Sequence, residues 1–212
     1  MRGCPKKIID CRCATGFTGA AANASTMRPA LKAGNNLETL LEPLRRFYQA
    51  AGYPVPQLFP LAGNTIPQPY RDLLVHTRGM TSILQHFHND VICIKVIASR
   101  CSAKHYAREV LLLTRNGGKT VEFGAISIAI EELPLNAQAQ LLQEEKPLGE
   151  ILQDCQIAFE SEPQAFFKII SDSFTNIVFD LSQSKILYGR CNRILIAKRS
   201  VLAEVVEILS PL

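Results

Sequence analysis

HYAREVLLLT (residues 105–114), RNGG (115–118) and TVEFGAISIAI (120–130) decide how this chain is read. Two runs rich in aliphatic and β-branched residues flank Asn116-Gly117, a pair that tolerates positive φ and so closes hairpins. The spacing predicts two antiparallel strands at the middle of the chain. Just upstream, VICIKVIA (91–98) is a further β-branched run and a predicted strand. Before it the period turns helical: Leu37, Leu40, Leu41, Leu44, Phe47 and Tyr48 recur on one stripe, predicting a helix over Leu37–Ala51 that Gly52 ends. Pro54, Pro56, Pro60, Pro67 and Pro69 make a stiff connector, and short helices are predicted at Tyr70–His76 and Met80–His88. Downstream, helical pattern covers Pro134–Glu145 and resumes after Pro147. Phe166–Ile170 reads as a short helix. The end of the chain reads as strands at Asn176–Leu181, Lys185–Tyr188, Arg193–Ala197 and Val201–Leu209. Helices grouped between two blocks of strands predict an α+β fold, an antiparallel β-sheet with helices packed on one face.

Composition agrees with one globular unit. Of 212 residues, 47% are apolar and 20% charged, which excludes a disordered chain, and no apolar run reaches the 18 or more residues of a membrane span. The net charge of +4 is unevenly placed. Residues 1–36 hold six basic residues and one acid, whereas 37–212 hold 17 basic and 18 acidic residues. We therefore expect a basic disordered tail over 1–36 and a single domain over 37–212, with no nucleic-acid surface on the latter. The tail lacks the apolar stretch of a secretory signal. The seven cysteines, at 4, 11, 13, 93, 101, 155 and 191, include no CxxC pair and fit a reducing, cytoplasmic setting. Were the tail a transit peptide, the plastid stroma would be the alternative.

Three features could carry chemistry. Arg108 shares a strand face with Tyr106, Val110 and Leu112, and a guanidinium on an apolar face needs a carboxylate from the protein or from a ligand. Glu204 shares its face with Leu202, Val206 and Ile208, where a carboxylate pairs or is desolvated. The two could equally be one buried salt bridge with no further role. Pro147-Leu148-Gly149 has the form of a helix start, whose free backbone N–H groups favour an anion. No Cys or His cluster has metal-ligand spacing, so no metal is expected.

In order, these motifs resemble the chorismate pyruvate-lyases, also called 4-hydroxybenzoate synthases. The resemblance runs from about Leu73 to Pro211. It rests on Leu73-Leu74, Gly79-Met80-Thr81, Arg108-Glu109-Val110-Leu111-Leu112, Gly124, Pro147-Leu148-Gly149, Gly189-Arg190 with Arg193, and Leu202-Ala203-Glu204 before Ser210-Pro211. It implies a chorismate lyase-like fold and a cofactor-independent elimination of pyruvate from chorismate to give 4-hydroxybenzoate for a ubiquinone or plastoquinone ring. It further implies Arg108 on the ring carboxylate, backbone N–H groups of Met80 and Leu148 (with Gly149) beside it, and Glu204 at the ring hydroxyl. The family arginine after the glycine is Ala125 here, so Arg193 is the expected second cation, with Arg190, Lys95 and Arg115 as other choices. The implied partner is the small molecule alone, with the protein a monomer or weak oligomer. The same fold also serves as a non-catalytic sensor of small molecules such as aromatic carboxylates, which is the alternative function.

Overall fold

The computed structural model describes residues 37–212. The expectations for 1–36, the basic tail and Cys4, Cys11 and Cys13, lie outside the described residues.

The hairpin forms where its sequence places it. Strands β3 (His105–Thr114) and β4 (Thr120–Ala129) pair antiparallel. The residue in the left-handed region is Gly118 (φ 60°), and not the Asn116-Gly117 pair. The reason is loop length: the Thr114 backbone N donates to the Lys119 carbonyl and the Gly118 backbone N to the Thr114 carbonyl, and Asn116 is held instead by Asp90, which accepts from its backbone N at 3.1 Å and its side chain at 3.0 Å.

Around this hairpin a seven-stranded sheet assembles, all neighbours antiparallel. Its other strands are β1 (Leu58–Leu61), β2 (Ile92–Cys101), β5 (Glu160–Ile170), β6 (Ile186–Ile196) and β7 (Ser200–Leu209), in the order β1-β5-β6-β7-β4-β3-β2. The α+β class and the antiparallel sheet are as read from the sequence. The helices, expected on one face, divide between both. On one face α1 (Leu37–Leu40), α2 (Glu42–Ala51) and α7 (Ser173–Phe179) bury Leu44, Phe47, Tyr48 and Phe174 against Phe123, Phe167, Cys191, Val206 and Ile208. On the other, α3 (Tyr70–Leu74) and α4 (Met80–His88) pack on Leu112, Phe166 and Leu209. Beside them α5 (Leu135–Leu142) and α6 (Leu148–Asp154) pack on Tyr106, Ile126, Ile128 and Ala203. Burying a side chain of this kind is worth roughly 1.5–3 kcal/mol.

Several boundaries move for identifiable reasons. The predicted helix Leu37–Ala51 breaks at Leu41, where Pro43 sits in the first turn of α2. Phe166–Ile170 is strand rather than helix, because β5 is flanked by β1 and β6 and alternates Phe167 and Ile169 into the core. Asn176–Leu181 falls largely in α7 rather than in a strand. A reciprocal cap starts that helix, with Asp172 accepting from the Thr175 backbone N and Thr175 Oγ1 accepting from the Asp172 backbone N, each at 2.8 Å,. The two strands expected at Lys185–Tyr188 and Arg193–Ala197 are one continuous β6.

Candidate functional site

Register places every side chain on one sheet face or the other, since directly opposed residues point the same way. Arg108 on β3 opposes Ile126 on β4, which opposes Val205 on β7. One step along, Ala107 opposes Ser127, and Ser127 opposes Glu204. Arg108 and Glu204 therefore lie on opposite faces. Glu204 instead pairs with Arg193 across β6–β7 at 3.0 Å, the side chains 31% and 23% exposed. The expectation that Glu204 faces Arg108 across a ligand, and that Arg193 is a second ligand cation, is corrected by this pairing. The two are also not one buried salt bridge.

Arg108 itself is 2% exposed. Its Nη2 donates to the Lys146 carbonyl at 3.0 Å, just before α6 begins at Leu148. Its Nε and Nη1 are buried and have no hydrogen-bond partner. Burial pulls the guanidinium pKa below its usual range, while the Tyr106 hydroxyl and the Glu144 carboxylate act the other way. Tyr106 donates to Glu144 Oε1 at 2.8 Å, so that carboxylate already has a partner. An arginine remains charged, and each buried donor left unmade costs about 1–3 kcal/mol. Two free donors on one buried guanidinium are thus an unmet demand for hydrogen-bond acceptors.

The same face carries a second polar group that strand alternation alone did not reveal. Val110 opposes Gly124, Gly124 opposes Glu207, and Glu207 opposes Arg190. Two residues along β4 from Gly124 is Glu122. Arg190 is completely buried. Its Nε donates to Glu207 Oε2, and its Nη1 donates to the carbonyls of Leu74 and His76, each at 3.1 Å, and to His76 Nδ1 at 3.3 Å. Arg190 Nη2 and Glu122 Oε2 are buried without partners. Burial first, then the neighbouring Glu207 carboxylate, raises the Glu122 pKa well above the usual carboxylate range, and Arg190 only partly opposes this. By strand geometry the Cα atoms of Arg108 and Glu207 stand about 12 Å apart, two strand spacings across and two residues along. The sheet positions between them, Val110, Gly124, Ile126 and Val205, are apolar or bare.

Both helix starts named from the sequence lie over this face. Met80 opens α4 in the cluster with Leu112, and Leu148, followed by Gly149, opens α6 in the cluster with Ile126. Among the described residues no three or more His, Cys, Asp or Glu side chains are grouped to hold a metal ion. No described helix is long and apolar enough to cross a membrane.

The fold is that of PhnF from Mycobacterium smegmatis. That structure aligns with a TM-score of 0.50 at 12% sequence identity, covering 79% of this chain and 93% of its own. The effector domain of PhnF aligns with a TM-score of 0.49 at 9% identity over 62% of this chain and 88% of its own. A GntR-family transcriptional regulator from Bacillus cereus aligns with a TM-score of 0.43 at 12% identity over 57% of this chain and 92% of its own. No family profile and no curated protein sequence matches the chain. Effector domains of this kind share the chorismate lyase-like fold, so the resemblance of the motifs identified the fold. The lyase activity it implied is corrected: Arg108 and Glu204 lie on opposite faces of the sheet, so the bracket on which that reading rested does not exist, and the structure whose fold this chain shares, PhnF, is solved with an effector domain and not as a lyase. The quinone-pathway expectation falls with it, and the plastid alternative, which rested on the tail, lies outside the described residues.

Proposed function

We propose that residues 37–212 form one non-catalytic domain that binds a small aromatic carboxylate, with Arg108 as the anchor. The observation that carries this reading is the pair of buried, unpartnered donors on Arg108. A guanidinium fork matches the two oxygens of a planar carboxylate, and a ligand supplying them would remove the cost of the unmade hydrogen bonds. Beside Arg108 the same face is apolar, with Val110, Ile126 and Val205 at the neighbouring positions. The backbone at Lys146–Gly149 adjoins the guanidinium and would close over the bound anion. The role fits an effector domain of the kind PhnF carries, in which occupancy and not turnover is the output. A reducing, cytoplasmic setting suits the buried thiols Cys93 and Cys191,.

The test is to titrate the purified protein with 4-hydroxybenzoate and with chorismate by calorimetry, while following pyruvate. Saturable binding with chorismate recovered intact supports the reading. Steady release of pyruvate, or no binding of any aromatic carboxylate, contradicts it.

A further inference from the structure

We infer that Glu122 and Arg190 together make a second polar subsite on the Arg108 face, one that takes an uncharged oxygen, a hydroxyl or a keto group, from the far end of the bound carboxylate. This rests on the carboxylate-binding reading and specifies which carboxylates are preferred. Both residues project from the face that holds Arg108, Glu122 from β4 and Arg190 from β6. Both are buried, Glu122 to 3% exposure, and each has one polar atom without a partner, Glu122 Oε2 and Arg190 Nη2. Glu122 is held against the sheet because Gly124 has no side chain. A Cβ there would come within 3.3 Å of Glu122 Oε1 and 3.2 Å of Val110 Cγ2.

Charge then selects the occupant. The positive charge of Arg190 is matched by Glu207. His76 adds none, because its Nδ1 accepts from Arg190 Nη1 and from the Arg78 backbone N, and its Nε2 faces the Leu73 carbonyl at 2.8 Å, which fixes the neutral ring with the proton on Nε2. A second ionised carboxylate beside Glu207 and away from water is disfavoured, and burial with the Glu207 charge pushes Glu122 toward the neutral acid,. The subsite thus offers one N–H and one O–H donor at no net charge. An anionic group would bring an unmatched charge next to Glu207, and a cationic one next to Arg190. A hydroxyl or keto oxygen accepts both donors without that cost.

The experiment compares benzoate, 4-hydroxybenzoate and terephthalate by calorimetry on the full chain, wild type against Glu122→Gln and Glu122→Met, with a melting curve for each protein. The wild type should prefer 4-hydroxybenzoate to benzoate by about tenfold, the worth of one good hydrogen bond. Glu122→Gln, which keeps a neutral donor, should retain the preference. Glu122→Met, which leaves only the Arg190 donor, should show a clearly smaller preference than the wild type. A hydroxyl preference that survives undiminished in Glu122→Met, one that is lost in Glu122→Gln, or tighter binding of terephthalate than of 4-hydroxybenzoate would overturn the subsite and leave the Arg108 anchor standing. Failure of the wild type to bind any of the three would overturn both.

Discussion

Arg190 on β6 and Glu207 on β7 stand directly opposite each other and form an ion pair from which water is excluded. The same guanidinium reaches the carbonyls of Leu74 and His76, so it fastens the segment between α3 and α4 to the sheet. Glu207→Ala would leave that charge buried and unmatched. We expect a loss of about 3–5 kcal/mol in urea unfolding. The double variant Arg190→Met, Glu207→Leu should recover part of it, and a cost below 1 kcal/mol for Glu207→Ala would mean that the pair is solvated.

Gly189 allows the strand next to it to approach. A Cβ there would lie 2.5 Å from the Glu207 carbonyl oxygen and 2.6 Å from the Phe167 ring. Gly189→Ala should destabilise by about 3 kcal/mol, the upper end of ordinary overpacking. Gly149→Ala is the control, because its nearest neighbour would be Phe159 Cζ at 3.9 Å. Removing a helical glycine there should leave stability unchanged or raise it by about 0.5–1 kcal/mol. Melting curves for the two variants check both outcomes.

Acid should loosen the α3–α4 segment through His76. Burial, reinforced by the charge of Arg190, lowers its pKa from 6.5 to about 3. Between those values the unfolded chain holds the proton and the folded one does not. Stability from this group is therefore complete above the unfolded value and declines as the pH falls toward the folded one. By pH 5 the loss should be on the order of 2 kcal/mol. Glu122, whose pKa is raised, acts in the opposite direction on acidification. Comparing wild type with His76→Gln in urea at each pH isolates the imidazole: the advantage of the wild type at pH 7 should shrink on acidification, and a constant difference would refute the assignment.

Arg193 and Glu204 are partly exposed and pair across adjacent strands. Such pairs contribute about 0–1 kcal/mol. A double-mutant cycle with Arg193→Ala and Glu204→Ala should return a coupling in that range, and ligand binding should be unaffected. Loss of binding in Glu204→Ala alone would restore Glu204 to the site.

The contrast between Glu204 and Glu207 shows what the sequence made legible. Alternation placed Arg108 with Tyr106, Val110 and Leu112, which holds in the structure, and Glu204 with Leu202, Val206 and Ile208, which holds for Val206 and Ile208 but not for Leu202, because the register shifts opposite it and Leu202 packs in the cluster of Ile126. What alternation cannot supply is which face of β3 matches which face of β7, because helices cover both sides and every strand of the centre is apolar on both. Glu207, three residues after Glu204 and so of opposite parity, was the carboxylate on the Arg108 side. The β3–β4 hairpin was legible because local turn chemistry and period agreed. Phe166–Ile170 was not, because four apolar residues in five fit a helical stripe as well as a buried strand. In α7 the β-branched Ile177 and Val178 pointed to a strand, while the deciding signal, the Asp172–Thr175 cap, lay just upstream.

The most direct test of the account is calorimetric titration of 4-hydroxybenzoate into the wild type and into Arg108→Gln, which keeps the polar stem and removes the charged fork. Saturable binding by the wild type, weakened at least about a hundredfold in a folded Arg108→Gln, is the predicted result. Equal affinity in the two proteins would contradict it, since the buried guanidinium would then have no ligand to hold.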